Sequence, residues 1–171
     1  MYSKKGLNWI LNCGYRKKIR NCITFADLIE KLQGMAKMYK RLKVESRMSN
    51  LRVIENAIDE MTSSIGINQD NYGKIMVATL EAVNNAIKHG NKDDPNKLVD
   101  VALEYEDNEM KITVTDEGDG FDPSRIPDPT MPENIEALSG RGVFLMTKLS
   151  DSIKFNEKGN SVTMSFKEVS N

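Results

Sequence analysis

From about residue 38 onward the spacing of hydrophobic positions changes several times, and each change marks an element. Leu51, Ile54, Ala57, Ile58 and Met61 recur at three- and four-residue intervals, which predicts a helix over residues 50–65. Asn50 is its expected N-cap and Gly66 its expected stop. A second helix is predicted over residues 70–89, with Asp70 near its start, Gly90 directly after it and an apolar stripe of Met76, Leu80, Val83 and Ile87. The period then drops to two: Met110, Ile112 and Val114 alternate with Lys111, Thr113 and Thr115, a strand over 110–115. Residues 98–105 form the strand before it, joined by a short polar turn. Residues 39–46 predict a first strand, 143–149 a short helix, and 151–156 with 161–167 a closing hairpin. Between these, residues 117–141 hold Gly118, Gly120, Pro123, Pro127, Pro129, Pro132 and Gly140. A loop this long inside a compact domain is usually functional or disordered. The order predicts helices packed on one face of a mixed sheet, an α+β sandwich.

Composition narrows the class. A chain of 171 residues suits one domain, and 39% hydrophobic with 29% charged residues reads as globular rather than disordered. No apolar run approaches the ~18–20 residues of a membrane-spanning helix. Asn8 and Asn12 interrupt the apolar stretch near the start, so a signal peptide is not expected. Two cysteines, Cys13 and Cys22, and the single histidine, His89, exclude a disulfide framework and a His-rich metal centre. A cytoplasmic location is the expectation.

The net charge of −1 hides an asymmetry. Residues 1–43 hold eleven Lys or Arg and two acids, whereas the remainder holds thirteen basic and twenty-three acidic residues. This shift marks residues 1–38 as a basic extension, disordered or outside the domain, and residues 39–170 as the domain itself. Lys/Arg clusters attract nucleic acid or anionic membranes, and Leu7, Ile10 and Leu11 have the spacing of a partner-docking helix. A merely solvated extension is the reading preferred, with no direct nucleic-acid contact.

Three motifs carry candidate chemistry. In Glu81-Ala-Val-Asn-Asn-Ala-Ile-Lys-His-Gly90, helical spacing puts Glu81, Asn85 and Lys88 on one stripe. Glu takes a proton, Asn oxygen ligates Mg²⁺, and Lys neutralises phosphate. An ordinary solvated helix face has the same look, although two consecutive mid-helix Asn residues are unfavourable there. In Asp116-Glu-Gly-Asp-Gly-Phe-Asp122, a carboxylate at a strand end suits an exocyclic amine such as adenine's, and Gly118 and Gly120 allow close approach to a flat ring. A plain Asp/Gly turn is the alternative. In Ser139-Gly-Arg-Gly-Val143, Gly140 and Gly142 at a helix start free backbone N–H groups for an anion; the alternative is a loop hinge with Arg141 in solvent.

In order and spacing these motifs resemble the N, G1 and G2 boxes of the GHKL (Bergerat-fold) ATPase superfamily, and within it the bacterial anti-sigma factor serine/threonine kinases. The resemblance covers about residues 39–167. It implies a two-layer α+β sandwich with a mixed, mostly antiparallel sheet, helices on one face and a lid loop over ATP. It implies Glu81 as the base activating a protein hydroxyl, Asn85 as the Mg²⁺ ligand and Lys88 near the phosphates. Asp116 would bind the adenine amino group, with Gly118 and Gly120 shaping the pocket and Gly140 and Gly142 presenting amides to phosphate. Leu138 stands where some relatives carry a lid arginine, so Arg141 is the expected stand-in. The Gly-Thr pair often found before the last strand is missing, and Thr163 is the nearest candidate for the adenine edge.

The implied function is an ATP-dependent anti-sigma factor, a homodimer that binds a sigma factor and phosphorylates a STAS-domain antagonist. Two alternatives stand beside it: a detached histidine-kinase catalytic domain, and a nucleotide-dependent binding module without phosphotransfer. Against the first, no phosphoacceptor histidine precedes the Glu81 motif.

Overall fold

The computed structural model describes residues 37–122 and 141–170. Residues 1–36 of the basic extension and residues 123–140 of the loop, including Leu138 and Gly140, lie outside these residues. Strand β1 (Met38–Glu45) leads into helix α1 (Leu51–Ile65) and helix α2 (Gln69–Asn85), which ends in a π turn over Ala86–Gly90. Strands β2 (Leu98–Glu106) and β3 (Glu109–Thr115) follow, then helix α3 (Arg141–Leu149) and strands β4 (Ser152–Phe155) and β5 (Ser161–Lys167). No helix among the described residues is long and apolar enough to cross a membrane.

The five strands pair in the order β1-β2-β3-β5-β4. Every described pairing is antiparallel, so the parallel component expected of a mixed sheet is absent. Short connections account for two of the pairs. Asp107 and Asn108, at φ 52° and 58°, make the tight β2–β3 turn that matches strand twist. The β4–β5 hairpin then inserts β5 between β4 and β3.

Alternation assigns the two faces of the sheet. Val99, Val101, Leu103 and Tyr105 of β2, Met110, Ile112 and Val114 of β3, and Val162, Met164 and Phe166 of β5 are buried with Ile54, Ile58 and Met61 of α1. Ile75, Ala78, Ala82 and Val83 of α2 complete this core, with Ala86 and Ile87 of the π turn. The other face carries hydroxyls: Thr113 pairs with Thr163 at 3.0 Å and Thr115 with Ser161 at 2.6 Å.

Helix α2 departs from its predicted stripe. Met76 and Leu80 are only half-buried, while Ala78, Thr79 and Ala82 are buried. Small side chains bring the helix axis close to the sheet, so the alanines take the inward face and larger residues flank it. Its N-cap is Asn68, whose side chain accepts from the Asn71 N–H at 2.9 Å, and Asp70 stands in its first turn. Gly66 closes α1 in the left-handed region as predicted, whereas Asn50 makes no cap bond and donates to the Glu45 carbonyl at 2.9 Å.

The two faces predict unequal mutational costs. Phe166→Ala, at a fully buried ring, is expected to lower unfolding free energy by about 3–5 kcal/mol. Thr163→Val, on the hydroxyl face, is expected to cost about 1 kcal/mol or less. Urea unfolding of both variants measures the contrast.

Candidate active site

Helix α2 supplies the first half of the site. Glu81 and Asn85 are half-buried one turn apart, and α3 packs against that flank. A Cβ at Gly142 would lie 3.0 Å from Glu81 Oε2 and 2.9 Å from Asn85 Nδ2. Glycine at the second position of α3 therefore lets that helix begin directly against the carboxylate and the amide. Neither the Glu81 carboxylate nor the Asn85 amide makes a side-chain hydrogen bond among the described residues. The first N–H groups of a helix have no intrahelical partners and favour an anion. A carboxylate, an amide and these donors thus meet in one place. Beside them, the buried Oδ1 of Asn84 has no hydrogen-bond partner among the described residues.

The second half forms where the π turn meets the end of β3. Single π turns break an α-helical register and often stand at functional sites. Here the turn delivers Gly90 against Asp116 so closely that a methyl on Gly90 would overlap the Asp116 carboxyl, with both oxygens at 2.5 Å. Gly118 is buried on the far side and donates its N–H to Asp116 Oδ1 at 2.8 Å. Burial pushes the Asp116 carboxyl above the ordinary carboxylate range, while the Gly118 N–H and the charges of Lys158 and Lys97 pull the other way.

The remaining candidates divide. Lys88 is exposed on the π turn, with no hydrogen bond or ion pair to Glu81 or Asn85. Arg141 opens α3, and Gly140 lies outside the described residues. Gly120, at φ 79°, backs onto the Lys158 carbonyl in the β4–β5 turn, and the Phe121 ring meets Phe155 edge-on at 5.4 Å. Gly120 thus docks the loop onto that turn, rather than sharing the Asp116 pocket with Gly118. Thr163 also needs correction: strand alternation puts it on the hydroxyl face with Thr113, and its neighbours Val162 and Met164 face the helices.

Two asparagines that sequence reasoning missed stand at the pocket instead. The Asp116 N–H donates to the Asn160 carbonyl at 3.0 Å, and Asn160 Nδ2 donates back to the Asp116 carbonyl at 2.7 Å. Asn91, fully buried, accepts from the Glu117 N–H at 2.8 Å. Strand pairing sets Asn160, the residue before Ser161, opposite Asp116, the residue after Thr115.

Comparison with known proteins bears on the family and the fold. The model of the histidine kinase-like ATPase domain matches residues 44–166, and the chain belongs to that family. Serine-protein kinase RsbW of Staphylococcus aureus strain JH9 is 29% identical over 131 residues, covering 72% of this chain and 82% of the relative. The protein of the same name from strain Newman gives the same values. Among solved structures, the RsbU and RsbW domains of Rv1364c from Mycobacterium tuberculosis match with a TM-score of 0.56 at 16% identity. That match covers 76% of this chain and 32% of the other, and it bears on the fold alone. The α+β sandwich expected from the motifs is thereby shown.

The Asp116 environment predicts a pH signature. A raised folded-state value means that ionisation of this carboxyl opposes folding. Its stabilising contribution is full below the ordinary value of about 3.9 and is lost as pH rises through the folded value. Asp116→Asn is therefore expected to gain melting temperature relative to the wild type as pH rises from about 4 to 7. Thermal melts across that range test this, and a gap independent of pH contradicts it.

Proposed function

We propose that this protein is a serine/threonine protein kinase that uses Mg-ATP and acts as an anti-sigma factor. On this reading it binds a sigma factor as a homodimer in the cytoplasm. It phosphorylates a STAS-domain antagonist and so regulates transcription by partner exchange. The observation that carries the proposal is the meeting of Glu81, Asn85 and the start of α3 at Gly142. It occurs in a histidine kinase-like ATPase fold whose relatives are named serine-protein kinases.

The chemistry follows from the residues. Asp116 accepts a hydrogen bond from the adenine amino group, and Gly90 and Gly118 let backbone close on its carboxyl from two sides. Gly142, with Gly140 and Arg141, offers donors to the phosphates, and Lys88 adds a mobile positive charge at the mouth. Glu81 takes the proton as the serine oxygen bonds to the γ-phosphorus and the bond to the bridging oxygen of ADP breaks. Mg²⁺ suits this donor set: it commonly binds through one or two protein groups plus substrate phosphates, and the Asn85 oxygen is such a group. It supplies charge neutralisation on the phosphates when bound. No group of three or more His, Cys, Asp or Glu stands together among the described residues, which matches a metal held mainly by its substrate.

Phosphotransfer to STAS-domain proteins of the same genome, with γ-labelled ATP and Mg²⁺, tests the proposal. Label is expected on a serine or threonine, and Glu81→Gln is expected to lower its rate by about 10²–10⁴ while ATP still binds. Asp116→Asn is expected to abolish ATP binding in calorimetry while remaining folded. Acid-labile label on a histidine would instead support a histidine-kinase catalytic domain. ATP binding with no transfer to a complete STAS set would support a nucleotide-dependent binding module.

A further inference from the structure

Asn91 is 0% exposed, and its side chain joins four segments of the chain. It follows the π turn directly, and its own N–H donates to the Ala86 carbonyl at 2.8 Å. Nδ2 donates to Ser46 Oγ at 2.7 Å, just past β1, and to the Leu98 carbonyl at 2.9 Å, where β2 begins. Oδ1 accepts the Glu117 N–H at 2.8 Å. Glu117 makes a second tie to the same place, its Oε2 accepting the Leu98 N–H at 2.7 Å.

Both ties fall on the residue after Asp116. On the other side, Asp116 is held by its exchange of hydrogen bonds with Asn160. The Asp116 carboxylate therefore sits on a short span of chain pinned at both ends. Asn91 is thus one of the side chains that fix the peptide after Asp116 relative to the end of β3.

We propose that Asn91, with Glu117 as its partner tie, is a positioning residue for nucleobase selection. It holds the Asp116 carboxylate in the orientation that accepts a purine 6-amino group and rejects a 6-keto group. This rests on the assignment of Asp116 to the base made above. A site that places an acceptor toward a ligand N–H discriminates strongly against an analogue lacking it, and that discrimination depends on the acceptor's direction. Bulk nucleotide affinity from phosphate contacts does not share this dependence.

Calorimetric titration of the full chain with Mg-ATP and with Mg-ITP, its 6-keto counterpart, reads the preference directly. Asn91→Ala is expected to weaken ATP about tenfold and ITP less than about threefold, so the preference collapses. Parallel weakening of both nucleotides, or an unchanged preference in a folded variant, overturns the proposal. Should Asn91→Ala fail to fold, Glu117→Ala removes only the tie from an exposed side chain. It is expected to reduce the preference about threefold, and an unchanged preference there overturns the proposal as well. A wild-type chain with no preference for ATP over ITP would instead remove the base assignment of Asp116. That outcome is distinct from a wild type that discriminates and an Asn91→Ala variant that still does.

Discussion

The contact between Gly90 and Asp116 is the constraint around which the pocket is arranged. A helix end and a strand end meet there with no room for a methyl group, and the carboxylate lies between backbone on two sides. Such an approach requires three things at once. The helix must end at the right height, which the π turn achieves by leaving the α-helical ladder over Ala86–Gly90. The strand must stop in register with it, which the β3–β5 pairing and the Asp116–Asn160 exchange secure. The loop after the strand must turn back immediately, which Gly118 does through its N–H to the carboxylate.

This arrangement divides one continuous helical segment into two chemical ends. Glu81 and Asn85 face the start of α3, and nine residues later Gly90 faces Asp116. At about 1.5 Å of rise per residue the two ends stand roughly 13 Å apart along the axis. The core beneath holds them to that spacing, because the inward-facing residues between the two ends, Ala82, Val83, Ala86 and Ile87, are buried. Glu81 and the Gly90–Asp116 contact therefore stand at opposite ends of one helical segment.

Legibility in the sequence followed the strength of local signals. Period-two alternation in 110–115 and the repeat in α1 placed those elements closely, since large side chains dominated both patterns. The inward face of α2 was read less well. Its buried residues include Ala78, Thr79 and Ala82, whose small or polar side chains carry little weight in a hydrophobic pattern yet permit the closest packing. The placement of Glu81 and Asn85 one turn apart on α2, and of Asp116 at the end of β3, was legible because local spacing decides it. Thr163 was misread from its residue type alone. The alternation that buries Val162 and Met164 turns Thr163 to the other face. Asn91 and Asn160 went unnoticed because their roles exist only across pairings of distant segments, which composition and spacing within a motif do not encode.

The same reasoning explains why asparagine recurs at the pocket. Three backbone edges converge near Asp116: the π turn, the start of β2 and the tip of the β4–β5 hairpin. Each brings N–H or C=O groups that sheet and helix ladders leave unpaired, and burying them without partners is costly. An amide side chain offers donors and an acceptor together and carries no charge, so it closes such junctions without competing with the Asp116 carboxylate. A carboxylate in either place would add like charge beside Asp116, whose ionisation burial already disfavours. A lysine would bring donors without an acceptor, leaving the Glu117 N–H unpaired at position 91. Neutral, two-sided hydrogen bonding therefore closes these junctions without adding further charge beside Asp116.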